Sequence, residues 1–182
     1  MDLAALCLYT FTSAQNTGVR MVQVFSLSGT YLPVSREDLA VRAINAGATH
    51  ILWLDSDMRF PQDTVERLLK RGLDCVGANY HKRVESGGST AFTRDRLPML
   101  RSSGIEEAHT IGFGVFLVTR QVFEALPRPW FVAGYLPDGR WQGEDEYFCE
   151  AARKVGFVPV VDHDLSADVA HIGVREFRYS DV

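Results

Sequence analysis

The chain has little cysteine, no long apolar run and no strong excess of one charge, and each shortage removes a class of function. Its three cysteines, Cys7, Cys75 and Cys149, are odd in number and widely spaced. Such a set builds neither a disulfide framework nor a CxxC zinc or redox site, and it fits a reduced, cytoplasmic compartment. The apolar start, Leu3 to Tyr9, lacks a basic flank, follows Asp2 and is too short to span a bilayer. It reads as a buried strand, and no membrane span is expected. Nineteen basic against 23 acidic residues leave a net charge of −4, so no global positive field recruits nucleic acid or anionic membrane. Internal repeats and low-complexity tracts are lacking too, and a hydrophobic content of 46% excludes a disordered chain.

What is present is an alternation of apolar runs with helix-period segments over the length of one domain, residues 1–182. The pattern predicts an α/β fold with a mostly parallel central sheet flanked by helices. Strands are expected at residues 3–9 and 22–27. Ser35 is placed to cap a helix with Leu39, Ala43 and Ile44 on one face, ending near Asn45-Ala46-Gly47. Ile51-Leu52-Trp53-Leu54 is apolar on both faces, as a central parallel strand requires, and ends in Asp55-Ser56-Asp57. Pro61 opens a helix that Gly72 stops, and Cys75 to Ala78 forms a short strand. Residues 81–103 carry more Arg and Lys than acid and lack periodicity, so a basic, mobile loop is expected between two halves. Of these, about 1–80 would bind nucleotide and about 104–182 would hold acceptor and catalytic groups. Within the second half, residues 114–118 read as a strand and residues 144–154 as a helix with Phe148, Ala151, Ala152 and Val155 inward.

Thirteen aspartates in 182 positions give about one DxD triplet by chance, and there are two, at Asp55/Asp57 and Asp162/Asp164. Position distinguishes the first. Residues i and i+2 of an extended segment project to one side, and open α/β sheets bind ligands beyond the carboxyl ends of their strands. Two carboxylates there suit Mg²⁺ or Mn²⁺, which share oxygen ligands with substrate phosphates. The alternative is a pair of solvated aspartates opening a turn; the second triplet is read as a loop. Tyr9, Thr10 and Phe11 end the first strand, where an aromatic can stack on a nucleobase or simply pack in the core. Gly112, in Gly112-Phe113-Gly114 before a strand, permits close backbone approach by a ligand or marks a bulge. His81, Lys82 and Arg83 either face a phosphate or form a solvated basic turn.

The ordered set Leu54-Asp55-Ser56-Asp57-Met58, Gly143-Glu144-Asp145 and Ala170-His171-Ile172-Gly173 resembles metal-dependent glycosyltransferases of the GT-A fold, closest to small family-2-like bacterial and phage enzymes. The resemblance implies a single Rossmann-like GT-A domain, a nucleotide-sugar donor, usually a UDP-sugar, and an Mn²⁺ or Mg²⁺ ion bridging the DxD aspartates and the diphosphate. It further implies Asp57 as direct metal ligand, Asp55 as a ribose or water-mediated contact, and His171 as the last protein ligand. Asp145 resembles the general base of inverting members, with Glu144 orienting acceptor or sugar. Arg36, in Ser35-Arg36, loosely matches the arginine that follows the family's second strand.

The chemistry agrees: glycosyl transfer needs a stabilised diphosphate leaving group and a carboxylate that activates the acceptor hydroxyl. Against this, a carboxylate at a helix N-terminus has its pKa lowered by the macrodipole, which weakens it as a base. An imidazole ligand at His171 favours Mn²⁺ over Mg²⁺. The acceptor is expected to be a glycan or another hydroxyl compound, with a modified DNA base open and a homo-oligomer possible. Competing readings are a Mg²⁺-dependent phosphohydrolase or nucleotidyltransferase using the DxD, and a silent nucleotide- or glycan-binding protein.

Overall fold

The computed structural model describes residues 19–22, 31–83, 88–173 and 176–179. The strand expected at 3–9, nearly all of that at 22–27, and Tyr9, Thr10 and Phe11 lie outside the described residues. In chain order the elements are α1 (Leu32–Asn45), β1 (His50–Leu54), β2 (Met58–Arg59), α2 (Thr64–Arg71), β3 (Cys75–Gly77), β4 (Ala91–Phe92), β5 (Ile105–Glu107), β6 (Thr110–Ile111) and β7 (Val115–Thr119). They continue with α3 (Arg120–Ala125), β8 (Gly134–Tyr135), β9 (Trp141–Gln142), α4 (Glu144–Lys154), β10 (Val160–Asp162), α5 (His163–Ser166), β11 (Ala170–Ile172) and β12 (Glu176–Arg178). No helix of the described residues is long and apolar enough to cross a membrane.

Strands β1, β7, β3, β10 and β5 form a five-stranded sheet in that order. β7 runs antiparallel to both β1 and β3, β10 runs parallel to β3, and β5 pairs antiparallel with β10. The fold is therefore mixed α/β with a mostly antiparallel sheet, which corrects the mostly parallel, Rossmann-like GT-A arrangement expected from the sequence. The reason lies in what an apolar run records. Ile51 to Leu54 and Val115 to Val118 are apolar on both faces because both faces of the sheet are covered, and double coverage is blind to strand direction. β7 inserts between β1 and β3 in reverse, sending Phe116 and Val118 to one face and Val115 and Leu117 to the other.

The first face packs against α1, α3 and α4 through Ala40, Trp53, Phe113, Phe123, Phe131 and Phe148. On the opposite face Met58, Phe60, Leu68, Val76 and Leu165 form a second cluster with β7. A small sheet, β12-β11-β2, lies beyond the end of β1.

Three local expectations change. α1 starts at Leu32, ahead of Ser35, because Pro33 occupies the first turn, where its fixed φ fits and its missing N–H costs nothing. The segment expected as a mobile loop is fastened over residues 88–103: β4 pairs with β6, and the buried Asn79 amide oxygen accepts from Ser89 Oγ (2.8 Å) and from the Thr90 and Ala91 N–H groups (both 3.1 Å). Residues 84–87 of that stretch lie outside the described residues. The second DxD serves the fold, since Asp162 caps α5 by accepting the Leu165 N–H at 2.9 Å and pairs with Arg71 at 2.8 Å.

Helix α4 covers Glu144–Lys154, the range its periodicity predicts, but Val155, expected inward, caps its end and is exposed. Phe148, one turn after Glu144, is fully buried; it stacks on Phe131 and meets Phe113 edge-on, with ring centroids 5.3 Å apart in each case. Phe148→Ala is therefore expected to lower stability by about 3–5 kcal/mol, read as a lower urea midpoint at unchanged slope, with Phe148→Leu losing much less. Equal losses in the two variants would show that the ring itself, and not the buried apolar volume, seats α4.

Candidate functional site

β1 stops at Leu54, paired with Val115, and the Asp55 N–H donates to the Gly114 carbonyl at 3.1 Å. The chain then turns, the Met58 N–H donating to the Asp55 carbonyl at 3.2 Å, and returns as β2. This turn separates the two aspartates: the rule that i and i+2 share a side holds for extended chain and lapses here. Asp55 points to Arg36, with Nη2 to Oδ1 at 3.3 Å. Asp57 points to β11, whose residue His171 pairs in register with Met58. The Ile172 N–H donates to the Asp57 carbonyl at 2.7 Å, and His171 Nε2 lies 3.3 Å from Asp57 Oδ2. Ser56, at the tip of the turn, is exposed.

The His171 ring is held from its other side. Nδ1 lies 3.2 Å from the His81 carbonyl, which can only accept, so Nδ1 carries a hydrogen and Nε2 is the ring nitrogen that faces Asp57. Tyr80 packs edge-on against the same ring at 5.4 Å, and its hydroxyl accepts the Gly114 N–H at 2.9 Å. Burial pushes the Tyr80 phenol above its ordinary pKa, so it stays neutral. A Cβ on Gly112 or Gly114 would meet the Tyr80 hydroxyl at 2.8 or 2.5 Å. The close approach for which Gly112 was singled out is thus made by Tyr80.

On the other side of the turn, Arg36 is 4% exposed and lies between Asp55 and Glu144, with Nε to Glu144 Oε1 at 3.3 Å. Its guanidinium sits over the rings of Phe113 (4.9 Å) and Trp53 (5.6 Å). Nε has no well-aligned hydrogen bond, so its attraction to Glu144 is that of charge more than of direction. Burial, partly offset by Arg36, raises the Glu144 pKa. Asp145 is raised as well, first by burial, against the lowering effects of the Glu146 N–H, which donates to Oδ1 at 2.8 Å, and of Arg36. Desolvation therefore outweighs the helix N-terminus, and Asp145 is a stronger base than a solvated aspartate. Gly143 makes room for this carboxylate: a Cβ there would stand 2.7 Å from Asp145 Oδ1.

Arg83 is the functional candidate that the residue pattern left open. Its Nη2 lies 2.8 Å from Asp57 Oδ2, whereas the Lys82 ammonium is turned onto the Phe92 ring at 4.9 Å. Among the described residues no group of three or more His, Cys, Asp or Glu side chains is arranged to hold a metal. The three-ligand set of Asp55, Asp57 and His171 thus reduces to a two-donor site, Asp57 with His171. One carboxylate and one imidazole fit a divalent cation that takes its other ligands from water and a diphosphate.

No protein-family model and no curated protein matches the chain. Among solved structures it is similar to the viral protein of "Crystal Structure of A197 from STIV", with a TM-score of 0.62 and 16% identity over 96% of this chain and 85% of that one. At that identity the likeness is one of fold.

Arg36→Met removes the cation between two carboxylates and is expected to cost about 2–4 kcal/mol, below the full value for a buried pair because the Asp55 side chain is 40% exposed. Adding Glu144→Gln should restore part of the loss in urea unfolding. Strict additivity of the two changes would exclude the coupling.

Proposed function

We propose that the chain is a metal-dependent glycosyltransferase that moves a sugar from a nucleotide-sugar donor, a UDP-sugar first, to an acceptor hydroxyl with inversion. The observation that carries this reading is the pairing of His171 Nε2 with Asp57 Oδ2 at one side of the β1 turn and of two burial-shifted carboxyls, Glu144 and Asp145, at the other. A bound Mn²⁺ or Mg²⁺ supplies Lewis-acid stabilisation of the departing diphosphate. Asp57 and His171 hold that ion, with imidazole favouring Mn²⁺. Asp55, anchored by Arg36, faces the donor as a ribose or water-mediated contact.

Asp145 takes the acceptor proton onto its carboxylate as the hydroxyl oxygen bonds to the anomeric carbon. The bond from that carbon to the diphosphate oxygen breaks, and its electron pair leaves with the nucleoside diphosphate. Glu144, held by Arg36, orients the acceptor or the sugar. The donor is a cytoplasmic metabolite, so the work is placed in the cytoplasm of a bacterium or of a phage-infected host. A glycan is the first acceptor class to test, with a modified DNA base second.

In calorimetric titration, UDP is expected to bind with Mn²⁺ and to fail with EDTA, and Asp57→Ala and His171→Ala should each abolish the metal-dependent part. Metal-independent binding unaffected by either change would sink the proposal. Asp145→Asn should keep UDP binding and lose about 10²–10⁴-fold in transfer rate.

The raised Asp145 pKa has two consequences for pH. Transfer requires the carboxylate, so the acid limb of kcat/KM should lie above the ordinary aspartate value of 3.8. A carboxyl whose folded pKa exceeds its unfolded one contributes stability below the unfolded pKa and loses it as pH rises through the folded pKa. Asp145→Asn should therefore leave neutral-pH stability equal or higher, with the gain fading in acid. A variant destabilised at pH 7 but not in acid would contradict the burial assignment.

A further inference from the structure

We infer that Arg83 is a partner-exchanging residue that makes the site select a metal–diphosphate complex over a bare divalent ion; the inference rests on the metal-dependent reading above. One oxygen carries the argument. Asp57 Oδ2 receives Arg83 Nη2 at 2.8 Å and faces His171 Nε2 at 3.3 Å. A cation held by Asp57 and His171 would compete with the guanidinium for that same oxygen. Two cations within about 6 Å of each other repel at partial burial, so ion and guanidinium exclude one another there.

Arg83 is held near this position by the backbone. It follows a paired stem in which the Lys82 N–H donates to the Gly88 carbonyl at 2.7 Å and His81 bridges Ser89. Lys82 is turned onto the Phe92 ring and acts on Asp145 from a distance, whereas Arg83 is the basic group of this turn in direct contact with Asp57. A bare ion displaces Arg83 and offers it nothing in return. An ion that arrives with a diphosphate brings paired anionic oxygens, which match the planar fork of a guanidinium and receive it as it leaves Asp57. The ion pair is half exposed, 49% at Arg83 and 31% at Asp57, so the exchange is a modest bias and its cost to bare-ion binding is small.

The test titrates Mn²⁺ alone, then UDP in saturating Mn²⁺, into the full chain and into Arg83→Ala and Arg83→Lys, with thermal unfolding as the check on folding. Arg83→Ala is expected to bind Mn²⁺ alone more tightly, by up to about fivefold, and UDP with Mn²⁺ more weakly, by about ten- to a hundredfold. Arg83→Lys should stay near wild type for Mn²⁺ alone and fall between the other two for UDP. Opposite movement of the two affinities is the signature of exchange. Affinities that both stay unchanged, or both weaken, overturn the role of Arg83 and leave the metal–nucleotide reading standing. A wild-type chain with no Mn²⁺-dependent UDP binding overturns that reading, and this inference with it.

Discussion

The site is organised around one buried guanidinium. Arg36 leaves α1 and ends between Asp55, at the exit of β1, and Glu144, at the start of α4, with the faces of Phe113 and Trp53 beneath it. Removing a guanidinium from water costs several kcal/mol unless charge and hydrogen bonds replace the hydration. Here two carboxylates and two aromatic rings provide that replacement, and Arg36 in turn offsets part of the burial that raises the Glu144 pKa. The arrangement is mutual: without Arg36, Asp55, Glu144 and Asp145 would be a cluster of like charge at the edge of an aromatic core. With it, three elements distant in sequence share one electrostatic centre.

Position within that centre separates the roles of the acids. Glu144 touches Arg36 directly and is tied by it, while Asp145 turns back over Gly143 and feels the guanidinium only at a distance. Burial then dominates Asp145, which is the condition for a carboxylate to accept a proton from a hydroxyl. Asp57, on the far side of the β1 turn, belongs to a different neighbourhood altogether, made of His171, Arg83 and the His81 carbonyl.

How much of this the sequence discloses depends on whether a feature is local. Helix α4 is legible because Phe148 and Ala152 repeat at helical spacing and Gly143 precedes them. β1 is legible as a strand because Ile51 to Leu54 is a short apolar run ending in polar residues. Strand direction is not, because Val115 to Val118 would look the same in either orientation. The nearness of His171 to Asp57 is carried by motif order rather than by spacing, and the split between Asp55 and Asp57 is invisible because it depends on a turn that residue patterns read as extended chain. Arg83 and Tyr80 act through partners that only tertiary structure brings to them. The expectation of a loose basic loop fails on Asn79, a single buried amide that gathers backbone and hydroxyl donors from ten to twelve residues away.

The pairing of β2 with β11 has a temporal meaning. Asp57 leaves the ribosome before the strand that carries His171. During synthesis the carboxylate therefore emerges well before its imidazole partner, and Asp57 lacks that contact until β11 has emerged. A stalled or truncated product lacking β11 therefore carries the acidic turn without the imidazole that faces it.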